Sequence, residues 1–184
     1  PSEQYDILSE KYEKEDTEYQ VILDQYGINQ AKEQAKAGQE YLTANPEYAK
    51  SRYAREGYKL YVPDEQVDNY VEYKTLPSGG YQDDWFMIEH PDFYQQVYLG
   101  VLGEQKLDFR ETPTREVYAK YEEYQNLPTD YWRDLYRKQN PDLEEWGELK
   151  FGWKPIKDQK TKGTPNQRDI VLGQITQEQG ETEK

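Results

Sequence analysis

The sequence predicts an all-α protein, built as an array of short helices with an N-terminal amphipathic helix and a flexible C-terminal tail. Three observations support this: an internal copy, helix starts marked by proline, and aromatic residues at helical spacing. The copy returns with a period of about 45–50 residues, which is typical of repeats that bury their apolar faces against each other. We expect proline residues to mark the corners between helices.

The internal copy consists of residues 63–77 and the similar residues 113–128. Both stretches begin with proline, carry a Tyr-x-x-Tyr pair and end in Leu-Pro. A fainter third copy lies at 41–48. The sequence therefore predicts four segments: N-terminal helices with a partial repeat at 1–61, repeats at 62–111 and 112–156, and a tail at 157–184.

The first predicted element is an amphipathic helix with a stripe of tyrosines seven residues apart, interrupted at Glu15. The stripe consists of Tyr5, Tyr12, Tyr19 and Tyr26. We expect this helix to lie on the repeat array or on a partner, with packing inside the chain as the simpler interpretation. Gly27 suits its C-terminal cap, and Asn29 is placed to begin the next helix.

A short motif of a polar residue, proline, an acid and a large apolar residue occurs three times, and it is typical of a helix start. The predicted N-terminal caps, whose side chains would accept from free amides, are Asn45, His90 and Asn140. Helices are expected to begin at the prolines that follow, Pro46, Pro91 and Pro141. Two more are expected at Pro63 and Pro113.

The Leu-Pro pairs at 76–77 and 127–128 should end the helices that start at Pro63 and Pro113, because a residue before proline is pushed out of the helical region. Short helices should follow at 81–89 and 130–139. One predicted core layer consists of Tyr70, Tyr73, Trp85, Phe86 and Phe93. The next consists of Tyr121, Tyr124, Leu135, Tyr136 and Leu143.

The composition is short of aliphatic residues and strongly acidic. Leu, Ile, Val and Phe number 32 of 184 residues, and the net charge is −14. These values alone are typical of disorder, but 19 Tyr and 4 Trp indicate a folded core built from tyrosine. Residues 1–148 carry −16, and 149–184 carry +2.

This acidity argues against direct binding of nucleic acid through the body, and against binding to anionic membranes. No apolar run approaches the length of a membrane span, and no signal peptide is recognisable. The chain has no cysteine. A cytoplasmic or other intracellular assembly is therefore the expected location.

Few residues in the sequence suggest catalysis. His90 is the only histidine, and no cofactor motif or calcium loop is present, so we expect no cofactor and no metal site. Asp83, Asp84 and Glu89 near Trp85 resemble in outline the acids of a glycosidase cleft. Acids are nevertheless common at a helix start, and the second copy lacks the pair.

The sequence favours a non-enzymatic structural or adaptor protein, in a viral or other large assembly, that binds protein subunits or itself through Tyr and Trp. One alternative is an acidic mimic of nucleic acid that inhibits a nucleic-acid-binding protein. Another is a carbohydrate-active or carbohydrate-binding module. The candidate partner-binding residues are Tyr5, Tyr12, Tyr19, Tyr26, Trp153, Ile170 and Leu172.

Overall fold

The structure is a computed structural model that describes residues 2–27 and 30–157. Over these residues the chain folds into helices and contains no β-strand, which confirms the predicted all-α class. The chain divides into two compact units, Pro1–Phe109 and Arg110–Lys184. The repeat and the four predicted segments stay predictions.

The first unit is built around the fourth helix, α4, which contacts α1, α3 and α5, while α2 packs on α3. Its α-helices are α1 (Ser2–Lys11), α2 (Glu13–Asp24), α3 (Ala31–Ala44), α4 (Pro46–Lys59), α5 (Val67–Lys74), α6 (Gln82–Glu89) and α7 (Pro91–Phe93). A 3₁₀ turn, Asp64–Gln66, precedes α5, and α7 continues as the π-helix Tyr94–Val101.

The second unit is a bundle of three helices, each in contact with the other two. They are α8 (Arg115–Gln125), α9 (Asp130–Gln139) and α10 (Pro141–Phe151). Its buried apolar side chains are Val117, Leu127, Leu143 and Trp146. Leu143 stands at the fourth position of the proline motif and is fully buried, so this position of α10 faces the core as predicted.

Proline marks three helix starts as predicted, since α4, α7 and α10 begin at Pro46, Pro91 and Pro141. The predictions at Pro63 and Pro113 are wrong by a few residues. Pro63 precedes the 3₁₀ turn, so α5 begins only at Val67. Near Pro113, the helix α8 begins only at Arg115, because the residue after the proline is a better N-terminal cap.

That better cap is Thr114, whose Oγ1 accepts from the backbone N–H of Val117 at 3.1 Å. Thr129 does the same for α9. A threonine hydroxyl satisfies an amide that a proline ring cannot, and this explains why α8 begins after Thr114. The helix α8 then ends before the Leu-Pro pair at 127–128, as α5 ends before the pair at 76–77.

The predicted caps lie at the N-cap positions of their helices, but the expected acceptor role of their side chains is wrong. Each side chain instead donates to the carbonyl of the fourth residue before it: Asn45 Nδ2 to Tyr41 O at 2.8 Å, His90 Nδ1 to Phe86 O at 2.9 Å and Asn140 Nδ2 to Tyr136 O at 2.8 Å. These residues join two helices, and the preceding helix needs a donor for its free carbonyls.

The N-terminal tyrosine stripe is divided between two helices and does not form one continuous helix. The break falls at Tyr12, whose backbone leaves the helical region between α1 and α2. Gly27 is not the C-terminal cap that we expected, because α2 ends at Asp24 with Gln25 at the cap. Asn29 lies outside the described residues.

Two apolar clusters make the core of the first unit. The larger one includes three of the five residues of the first predicted layer, Tyr70, Phe86 and Phe93, with Tyr73 packed against it. The smaller one joins Leu42, Tyr48 and Ala49 to tyrosines of α2, α3 and α4. Much of this core is aromatic, as the composition indicated.

Replacing Leu143 by alanine is expected to lower the free energy of unfolding by about 3 kcal/mol, because the fully buried side chain would leave a cavity. Urea unfolding followed by circular dichroism would measure the change. Leu149→Ala on the same helix is the matched control, since this leucine is 59% exposed. We expect a change below about 0.5 kcal/mol there. Equal losses would contradict the described burial.

Candidate protein-binding surfaces

A surface groove runs along α1 and α2 of the first unit and has a volume of about 620 Å³. Its lining residues are Tyr5, Ser9, Glu10, Glu13, Asp16, Thr17, Gln20 and Arg55. Most of them follow a spacing of three or four residues, which places side chains on the same face of a helix. We call this surface the acidic groove, because carboxylates form much of its wall.

The wall and the floor of the acidic groove differ in how their charges are satisfied. Glu10 and Glu13 are exposed, and neither forms an ion pair within the described part of the chain. Asp16 and Arg55 lie deeper and are paired with each other. The groove therefore presents unpaired negative charge at its wall above a closed ion pair.

The floor pair ties α2 to α4. Arg55 is buried, and its guanidinium donates to both carboxylate oxygens of Asp16, including Nη2 to Oδ1 at 2.7 Å. The hydroxyl of Tyr48 donates to the same Oδ1 at 2.6 Å. Three donors thus converge on one carboxylate, which is the arrangement that holds a partly buried charge in place.

The protonation states follow from this geometry. Burial on its own would raise the pKa of Asp16, but the hydrogen bonds from Arg55 and Tyr48 and the nearby arginine charges lower it below its ordinary value of 3.8. Burial, with the hydrogen bond to Asp16, raises the pKa of Tyr48 to about 12. At neutral pH the carboxylate is charged and the phenol is protonated.

A smaller groove of about 290 Å³ shares Tyr5, Asp16 and Arg55 with the acidic groove. Its other lining residues are Arg52, Glu56 and Lys59 of α4. Arg52 is held over the ring of Tyr19 at 4.4 Å from the centroid. This side of the surface is mixed in charge, so negative charge is strongest along Glu10 and Glu13.

The four tyrosines of the N-terminal stripe have different environments. Tyr5 lines both grooves. Tyr12 and Tyr19 pack inside the unit, with ring centroids 6.1 Å from that of Tyr48 in each case. Tyr26 is half-buried beyond the end of α2. Of the four, Tyr5 is therefore the one that the structure places at a groove.

The second unit carries an aromatic surface on α8 and at the end of α10. The ring of Tyr121 stacks on Phe151 with centroids 5.2 Å apart, and Tyr124 contacts Trp153 at 4.9 Å. Phe151 remains 46% exposed. The sequence analysis missed Phe151, although an aromatic residue beside the helix-ending Gly152 was a signal for it.

Trp153 is held against its own unit. Its ring covers Gly147, where an added Cβ would lie 2.0 Å from the ring atom Cε3. The guanidinium of Arg137 lies over the Trp153 ring at 4.6 Å from its centroid and pairs with Glu144 through two hydrogen bonds of 2.6 Å. Trp153 is a predicted partner contact, but much of its ring surface packs within the unit.

The remaining candidates that lie in the described residues do not form a second site. Trp85 is only 7% exposed, so it offers little ring surface for a sugar beside Asp83, Asp84 and Glu89.

Within the described part of the chain, no three His, Asp or Glu side chains are grouped so that they could hold a metal ion. Nor does a described helix have the length and apolar character needed to cross a membrane. Ile170 and Leu172 lie outside the described residues.

Comparison of the chain with protein-family models, with curated proteins and with solved structures found no match. Function is therefore inferred from the geometry and charge of these surfaces. The sequence analysis had named Tyr5 but not Asp16 or Arg55. Asp16 lies next to Glu15, where the stripe is interrupted, and this was the available signal.

Replacing Asp16 by asparagine should lower the free energy of unfolding by about 2 kcal/mol at neutral pH, because the buried Arg55 would lose its counter-charge. The value is reduced for the partial exposure of Asp16. Glu40→Gln, which breaks an exposed pair with Lys36, is the control and should cost less than about 0.5 kcal/mol. Urea unfolding would measure both variants.

The same pair predicts a pH dependence. A lowered carboxyl pKa stabilises the folded state fully above the ordinary value of 3.8, and this stabilisation is lost as the pH falls through the folded-state pKa. The stability difference between the wild type and Asp16→Asn should therefore be constant between about pH 7 and 5 and shrink below 3.8. A difference that persists undiminished at about pH 2 would contradict the pairing.

Replacing Gly147 by alanine is expected to displace the Trp153 ring, because the new methyl group would overlap it. We expect a red shift of tryptophan emission and a loss of about 1–3 kcal/mol of unfolding free energy. Gly27→Ala is the control, since nothing lies within 4 Å of its Cβ position. An unshifted spectrum for Gly147→Ala would show that the ring does not cover Gly147.

Proposed function

We propose that this chain is a non-enzymatic adaptor or structural protein that binds a basic segment of a partner protein in its acidic groove. The observation that carries the proposal is the position of Glu10 and Glu13 beside Tyr5. Carboxylates and a tyrosine ring are the groups that recognise arginine, through paired hydrogen bonds and through cation–π contact.

The distribution of charge supports this choice of groove. Residues 1–109 hold 22 Asp and Glu against 10 Lys and Arg, a net charge of −12, while residues 110–157 hold 10 against 9. A field of this sign attracts a basic partner and speeds the encounter. The first unit is therefore the one that we propose to engage the partner.

The groove can hold a partner side chain without disrupting the floor. Asp16 and Arg55 are already paired, so the incoming charge would meet Glu10 and Glu13 instead. The aromatic residue of the wall, Tyr5, is half-buried and lines the groove. A rigid ring adds contact area at low entropic cost, as in other protein interfaces.

A structural role in an intracellular assembly remains part of the proposal, because a chain without cysteine suits a reducing compartment. Self-association is the form of this role that is simplest to test. Light scattering over a range of protein concentrations would show a mass that rises with concentration if the chain assembles with itself. A constant monomer mass would leave the adaptor role and remove self-association.

The second candidate function is mimicry of nucleic acid. It is favoured by exposed carboxylates that follow one face of α1, Glu3, Asp6 and Glu10, as phosphates follow a strand. Both candidates require a basic protein surface. They differ in whether that surface also binds nucleic acid, so competition by duplex DNA for an identified partner would distinguish them.

A fluorescein-labelled octa-arginine peptide provides a direct test by fluorescence anisotropy. The double variant Glu10→Gln, Glu13→Gln should bind it about tenfold more weakly, because it removes the unpaired carboxylates of the groove. Glu33→Gln with Glu104→Gln makes the same change of charge outside the groove, and about twofold weakening or less is expected. Equal weakening by both pairs would show binding to overall charge and would overturn the proposal.

A further inference from the structure

Tyr61 ends α4 in a conformation that non-glycine residues seldom adopt. Its φ angle is +61°, in the left-handed region. Two hydrogen bonds close the turn, from Val62 N–H to Gly57 O at 3.0 Å and from Tyr61 N–H to Tyr58 O at 3.2 Å. These are the two bonds of a Schellman cap, in which the left-handed position is usually glycine.

The chain uses glycine at the left-handed position of two other helix ends. Gly103 follows the π-helix with φ +63°, and Gly152 follows α10 with φ +67°. In each case the next residue donates six positions back, Glu104 to Tyr98 and Trp153 to Gly147. Tyrosine in the same position costs free energy, because its Cβ crowds the neighbouring carbonyl oxygen.

Packing of the Tyr61 ring does not offset this conformational free energy. It is 79% exposed, more than any other large apolar side chain in the described part of the chain, and Leu60 beside it is 41% exposed. A strained residue whose side chain adds little to the core is a reason to look for a function. In this left-handed turn the ring is left exposed to solvent.

Tyr61 follows in the chain a residue that lines a groove of the first unit. Lys59, two residues earlier, lines the smaller groove together with Tyr5. The residues that follow, Asp64 and Glu65, are acidic and lie in the exposed turn before α5. An exposed aromatic ring next to carboxylates matches the chemistry of the acidic groove.

We infer that Tyr61 is a binding residue for the same basic partner segment, with its ring stacking on an arginine side chain of that segment. This inference rests on the proposed function. A side chain in an ordinary helical position would lie back along the preceding turn. The left-handed conformation instead presents both faces of the ring to a partner, so the strain is retained because the exposed ring contributes to binding.

The test combines stability with binding for one substitution. Tyr61→Gly should raise the urea midpoint, because glycine adopts the left-handed conformation without strain. The same variant should bind the labelled octa-arginine peptide about tenfold more weakly, as expected for a residue at an interface hot spot. Misfolding could not explain a variant that is more stable than the wild type and yet binds the peptide less tightly.

Two further variants act as controls. Tyr61→Phe keeps both the ring and the strain, so its urea midpoint and peptide affinity should match those of the wild type. Ile88→Ala removes another exposed apolar side chain of the same unit, outside both grooves, and should bind normally. Weaker binding by Ile88→Ala to the same degree would overturn the inference.

The outcomes separate the inference from the proposed function. If the peptide binds through Glu10 and Glu13 but Tyr61→Gly binds like the wild type, the inference about Tyr61 is wrong and the acidic groove stands. An unchanged or lowered urea midpoint for Tyr61→Gly also overturns it, because strain would then not be present. If the wild type does not bind the peptide, both the proposed function and the inference about Tyr61 are wrong.

Discussion

A buried or half-buried tyrosine must place its hydroxyl on a hydrogen-bond partner, and this requirement shapes both units of the protein. Tyr48 donates to Asp16 at 2.6 Å, Tyr70 donates to Glu56, and Tyr136 donates to Glu123 at 2.5 Å. An unpaired buried hydroxyl would destabilise the fold by about 1–3 kcal/mol. A core made of tyrosine therefore needs carboxylates at its edge, which accounts for part of the acidic composition.

The same constraint shapes the electrostatics. Burial together with the hydrogen bond to a carboxylate raises the pKa of Tyr70 and of Tyr136, so both phenols stay protonated at neutral pH. Each such bond ties two helices together: α5 to α4, and α9 to α8. Acids that serve the fold in this way are thus distinct from Glu10 and Glu13, whose carboxylates accept from no tyrosine hydroxyl in the described part of the chain and which we propose for a partner.

The proposed binding residues are those whose charge or backbone strain is not explained by contacts within the fold. The helices place Glu10 and Glu13 above a closed ion pair, and the end of α4 holds Tyr61 in a strained turn. The side chains of all three residues are exposed. The aromatic surface of the second unit is different, because Trp153 is locked by Gly147 and Arg137 and so contributes to stability first.

The sequence by itself determined the helical class, the helix starts at Pro46, Pro91 and Pro141, and the use of tyrosine in the core. These features depend on local chemistry, since proline geometry and helical spacing act within a few residues. Only the tertiary structure decided that Arg55 meets Asp16, 39 positions earlier in the chain, and that the hydroxyl of Tyr48 reaches the same carboxylate. The reason is that a side chain takes the nearest unsatisfied partner in space, and that partner is known only once the helices have packed.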